Sequence, residues 1–234
     1  HNNVDGSNSV AIGRLALYAQ DPATATDMYN TAVGYTAGTA VTTGLYNTLI
    51  GGNAGKALTD ADENVVVGTA ALNIDTLGSR SVAIGYAALN VQNFTTATFS
   101  YNTAVGNRAG GAVTTGTLNT LIGGLAGDSL TTGGSNVAVG YFALTTDDVG
   151  SKSVAVGTAA LGALNYATAT DGFNVAVGQE AGRQVTTGIK NTLIGGLAGD
   201  ALTDADENVA VGYNALSTNI LGSASTAIGT SALL

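Results

Sequence analysis

The chain has 234 residues and a net charge of −9, with 45% hydrophobic residues, only 10% charged residues, 34 Gly, 1 Pro, 1 His and no Cys. That excludes a disulfide or thiolate–metal framework and collagen and argues against a disordered chain; no apolar run approaches the roughly 20 residues of a membrane-spanning helix, and a Ser–His–Asp triad would have to use His1, at a chain end. The acidic balance without a basic cluster reads as a solubilising surface and offers no footprint for nucleic acid or anionic lipid.

No initiator Met, signal peptide or anchor is visible, so the chain reads as a segment of something longer. The first element is Ser9-Val10-Ala11-Ile12-Gly13. It returns as Asn30-Thr31-Ala32-Val33-Gly34, Asn47-Thr48-Leu49-Ile50-Gly51, Asn64-Val65-Val66-Val67-Gly68 and Ser81-Val82-Ala83-Ile84-Gly85, and it occurs 13 times in all. The closing glycines run from Gly13 to Gly229 at spacings of 21, 17, 17 and 17 residues, three times over, and an Ala follows each glycine by three. The chain is thus one repeat domain, 1–234, with super-repeats of 72 residues at about 13–84, 85–156 and 157–228.

A regular period marks a stacked architecture in which each unit buries its apolar face on its neighbours. Seventeen residues dense in Gly, Thr, Val and Asn are too few and too poor in helix formers for a helical repeat. The pattern predicts an all-β fold, a parallel β-solenoid of about 13 coils, whose coils stack ~4.8 Å apart over roughly 60 Å. In Thr103-Ala104-Val105-Gly106, alternation puts Thr103 and Val105 on one face and Ala104 and Gly106 on the other. The invariant Val or Ile is expected to fill the interior, and the small-residue face to form a seam against another chain. The Asn or Ser that opens each motif, such as Asn30, Asn47 and Asn64, is expected to stack as a structural ladder. Stacking also makes neighbours of Glu63 and Arg80, and of Lys190 and Glu207, as exposed ion pairs.

The longer coils hold their four extra residues in 18–29, 90–101 and 162–173, each with a Thr-Ala-Thr run ending at Thr26, Thr98 and Thr170. Pro22, Phe94 and Tyr166 occupy one equivalent place before it. Extra residues are expected to bulge outward and to present these side chains as ligand contacts, unless the bulges lock neighbouring subunits together. Acidic turns at Asp60, Asp62 and Glu63 and at Asp204, Asp206 and Glu207 are the Ca²⁺ candidates. The middle super-repeat has Thr131-Thr132-Gly133-Gly134-Ser135-Asn136 at the same place, which favours a solvated turn. Gly55-Lys56-Ala57 breaks the phosphate-loop pattern. A threonine row suited to ice is interrupted, since Thr31 and Thr48 give way to Val65 and Val82.

The strand motifs, above all Ser81-Val82-Ala83-Ile84-Gly85, closely resemble the YadA-like head repeats of trimeric autotransporter adhesins, and similar arrays look like segments of phage tail fibres. The resemblance covers essentially the whole chain, although the coils are longer than that family's usual head coil. It implies a left-handed parallel β-roll, a side-by-side homotrimer and attachment to a host cell surface, glycan or matrix protein. It places the chain outside the cell, on a bacterial surface or a virion tail fibre. A regular solenoid offers no cleft for acid–base chemistry, so no enzyme, catalytic residue or cofactor is expected. A receptor-binding module and a passive spacer remain the two functional readings, with ice or calcium binding as remote alternatives.

Overall fold

The computed structural model describes residues 5–234. The chain divides after Thr117 into two compact units. Both are parallel β-solenoids without a helix among the described residues, hence with none able to cross a membrane. In the first, Val10–Ile12, Thr31–Val33, Thr48–Ile50, Val65–Val67, Val82–Ile84 and Thr103–Val105 stack in sequence order. In the second, Thr120–Ile122, Val137–Val139, Val154–Val156, Val175–Val177, Thr192–Ile194, Val209–Val211 and Thr226–Ile228 do the same. The register pairs like with like, so Thr31 meets Thr48 and Leu49 meets Val66.

The interior is the reverse of the expected one. Ala32, Leu49, Val66, Ala104 and Leu121 are fully buried, while Ile50 and Ile122 are 39% and 38% exposed and Val105 is half-buried. The opening Asn explains the parity. It is itself buried, so alternation turns the Ala, Leu or Val two residues later inward and the Val or Ile outward. The coil is narrow, and its width is shared between facing columns. The Ala column three residues beyond each glycine is buried from Ala16 to Ala215. Where the strand contributes Leu49, the facing corner is Gly38 in one coil and Gly55 in the next. A β-carbon there would lie 2.6 and 2.7 Å from the Leu49 methyls. Where the strand contributes Ala83 or Val66, that corner carries Leu89 or Leu72 instead.

The closing glycines are fixed by stacking. Gly34 has φ +143, and a β-carbon on it would lie 2.4 Å from the carbonyl oxygen of Gly51 in the next coil. The same close approach recurs at Gly13, Gly51, Gly68 and Gly85 in the first unit and from Gly123 to Gly212 in the second. The residue before each Asn also turns a tight corner at φ near +60, even where it is Tyr46, Lys190 or Glu207.

The asparagines do more than stack. Asn47 donates from Nδ2 to the carbonyl of Ala61 across the same coil at 2.7 Å, and its Oδ1 accepts the Asn64 backbone N–H at 3.0 Å. Its own N–H donates to Asn30 Oδ1 at 2.8 Å. Each Asn therefore ties two walls of one coil together and links that coil to the next. Asn191 repeats the arrangement with Ala205, Asn174 and Asn208.

Each long coil adds a two-residue strand, so Thr26–Asp27 pairs with Gly6–Ser7, Thr98–Phe99 with Gly78–Ser79 and Thr170–Asp171 with Gly150–Ser151. The bulge does leave the stack, but its exposed tip is Ala23–Ala25, Thr95–Ala97 and Ala167–Ala169. Pro22, Phe94 and Tyr166 precede the tip and point inward. Phe94 is 6% and Tyr166 4% exposed, and Pro22 is buried. These apolar side chains fill the width that the longer coil opens, which corrects the expectation of exposed ligand contacts.

Candidate functional site

The most extensive candidate is the outward face of the strands. It carries two columns of side chains. One column is Thr31, Thr48, Val65, Val82 and Thr103 in the first unit, and the other is Ile12, Val33, Ile50, Val67, Ile84 and Val105. The second unit continues the pattern with Thr120 to Thr226 and Ile122 to Ile228. Parallel strands usually have both faces covered. Here one face is packed and the other, β-branched, stays partly open to solvent. Its Thr column is interrupted by Val65 and Val82, so no continuous hydroxyl row forms.

The corner leading into the strands carries charge and rings. Arg80 Nε donates to Glu63 Oε2 at 3.0 Å, its Nη1 to Tyr101 Oη at 2.6 Å, and the guanidinium lies 4.0 Å from the Phe99 ring centre. Lys190 pairs with Glu207 at 3.0 Å. Both predicted pairs are therefore neighbours in the stack. Lys152 pairs with Asp171 at 2.6 Å beside Phe173, a pair that sequence reading missed because its partner lies in the added strand of a long coil, 19 residues on and so off the 17-residue spacing. Tyr29 and Tyr46 stack at 5.5 Å with planes 6° apart, and both are about half exposed. After the closing glycines, Tyr35, Tyr86, Tyr141 and Tyr213 are exposed. Tyr86 borders a shallow groove with Asn90, Val91 and Arg108. Phe142, Thr145, Thr146 and Arg183 border another.

The calcium candidates do not converge. Asp60 accepts the Thr43 hydroxyl, Asp62 accepts the Leu45 N–H at 2.7 Å, and Glu63 turns to Arg80. Asp204 faces Thr203, Asp206 accepts the Ile189 N–H at 2.8 Å, and Glu207 turns to Lys190. Burial pushes the Asp62 carboxyl above its ordinary range. Among the described residues no three acidic or histidine side chains gather where an ion could sit. Each carboxylate is instead engaged by a partner from the neighbouring coil or, for Asp204, from the adjacent residue, and the positive φ of Glu63 and Glu207 turns their side chains away to Arg80 and Lys190.

Two buried carboxylates escaped the sequence reading. Asp75 and Asp147 stand at one place in successive super-repeats, both inside the coil. Asp75 is fully engaged, with Oδ1 accepting the Gly78 and Phe94 N–H groups at 3.1 and 3.0 Å and Oδ2 accepting Gln92 Nε2 at 2.6 Å. Asp147 Oδ1 accepts the Gly150 N–H at 3.0 Å, but its Oδ2 has no partner. Burial raises the pKa of both, that of Asp147 to about 6. Comparison of the chain with family models, curated proteins and solved structures finds no match.

Proposed function

We propose that this chain is a structural segment of an extracellular fibre, built as a side-by-side homotrimer of left-handed β-rolls, that contributes to attachment on a bacterial surface or a virion tail. The observation that carries the proposal is the outward Val, Ile and Thr face repeated on every coil. A repeated, largely apolar face of this kind marks an interaction surface, and a regular array of like side chains suits packing against a copy of itself. The interface is the β-branched face, not the small-residue face, because the small residues are consumed inside the coil. The reading includes no catalytic step.

Attachment rests on the exposed rings and grooves, above all Tyr86 with Asn90 and Arg108. An aromatic ring beside an amide and a guanidinium can stack on a sugar and bond its hydroxyls. The inward placement of Phe94 and Tyr166 favours the second reading, a passive spacer. Retention on host cells or a glycan array by the intact chain separates the two. The attachment reading predicts that Tyr86→Ser with Arg108→Ser lowers retention at unchanged oligomer mass. Retention equal to that of the unaltered chain would leave the spacer.

A further inference from the structure

We propose that the coil closed by the turn Asp147–Gly150 is a pH-sensitive joint, tight when the Asp147 carboxyl is neutral and loosened when it is charged. The basis is a comparison of two equivalent places. Around Asp75, the amide of Gln92 serves three groups: Nε2 donates to Asp75 Oδ2 and to Ser81 Oγ at 2.9 Å, and Oε1 accepts Asn102 Nδ2 at 2.8 Å. Ser81 Oγ also meets Ser100 Oγ at 2.6 Å.

Around Asp147, Leu164 stands where Gln92 does and Gly172 where Ser100 does. The Tyr166 hydroxyl replaces the accepting half of the lost amide, since it takes Asn174 Nδ2 at 2.9 Å and donates to the Gly188 carbonyl at 3.0 Å. Nothing replaces the donating half. Asp147 Oδ2 and Ser153 Oγ, the two atoms that half would have served, are both buried without a partner.

An unpartnered charge in such a place is costly, and a carboxylic acid avoids that cost by keeping its proton. The surroundings do not supply a counter-charge. The preceding and following coils present Leu130 and Leu164, both fully buried. Asp148, exposed in the same turn, adds a like charge, and the Tyr166 phenol, pushed further above its ordinary range by burial, stays neutral. Lys152, the nearest cation in sequence, is turned outward to Asp171. In the third super-repeat the place is held by Asn219, whose Oδ1 accepts the Gly222 N–H at 2.7 Å, so a neutral side chain fits the turn.

The test is residue-resolved hydrogen exchange of the full chain between about pH 5 and pH 8, corrected for intrinsic rates, with a carbon NMR titration of the two carboxyls. The expected result is that the Gly150 and Tyr166 amides lose at least tenfold in protection as the pH rises, while Gly78 and Phe94 lose less. Asp147→Asn should hold the protection of acid conditions at pH 8. Leu164→Gln should restore the missing donor and lower the Asp147 titration towards that of Asp75. Should Leu164→Gln fail to fold, Asp147→Asn alone decides. Equal protection of Gly150 at both pH values, or a pH response that survives Asp147→Asn, would overturn the proposal.

Discussion

Gly55 and Leu49 share one volume. The Gly55 corner has φ +53, which strains a side chain, yet Leu72 holds the equivalent corner at φ +45, so crowding by Leu49 and Leu58 adds to the backbone cost there. Gly55→Ala should cost about 1–3 kcal/mol by overpacking, and Leu49→Ala about 2–5 kcal/mol by cavity formation. Combined, they should cost less than their sum, by 0.5 kcal/mol or more on the order seen for contacting residues. Thermal or urea unfolding of the four proteins checks this, and strict additivity would contradict the shared-volume account. Asp147 gives a second residue-scale expectation. Its folded pKa of about 6 lies above the ordinary 3.8. The folded state therefore binds the extra proton, and the stabilisation, present in full below about pH 4, is lost as the pH rises to about 6. The loss amounts to about 3 kcal/mol at most on a linkage basis. Asp147→Asn should raise the melting temperature at pH 7 and leave it nearly unchanged at pH 4. A lower melting temperature at pH 7 would contradict that reading.

At the scale of one coil, the asparagine brace holds the walls together. Asn47→Ala strands the Asn64 N–H and the Ala61 carbonyl in a dry interior, and should cost about 2–4 kcal/mol by losing several buried hydrogen bonds. Lys56→Ala, in a turn, should change stability by well under about 1 kcal/mol, and equal losses in urea unfolding would contradict the brace. The same brace shows what the sequence does and does not disclose. Period, strand and coil number follow directly from the glycine spacing, because stacking repeats its steric demand at Gly34, Gly51 and Gly68. The facing of the strands was misread because Val and Ile are more apolar than Ala. Counting alternation from the buried Asn30 instead of ranking hydrophobicity gives the correct parity. Phe94 and Tyr166 were misplaced because a four-residue insertion does not state which of its residues leave the stack. Asp147 was hidden because its environment depends on Leu164 and Gly172, far from it in sequence. Asp62 and Asp206 each accept a backbone N–H from the neighbouring coil, a role that a run of carboxylates in the sequence does not disclose.

For the whole molecule, the exchanged faces change what a charge should do. Ala104→Asp buries an unpaired carboxylate and should cost several kcal/mol or abolish folding. Val105→Asp places the same charge on the outward face and should leave a separated chain folded while breaking the assembly. The central claim is that the β-branched face is where chains meet side by side. Its most direct test is the solution mass of the folded chain and of Val105→Asp with Val139→Asp, by light scattering at matched concentration. The account predicts three times the 22.9 kDa chain mass for the unaltered protein and a folded single chain for the variant. A stable, folded single chain for the unaltered protein, or a trimer that survives both substitutions, would contradict it.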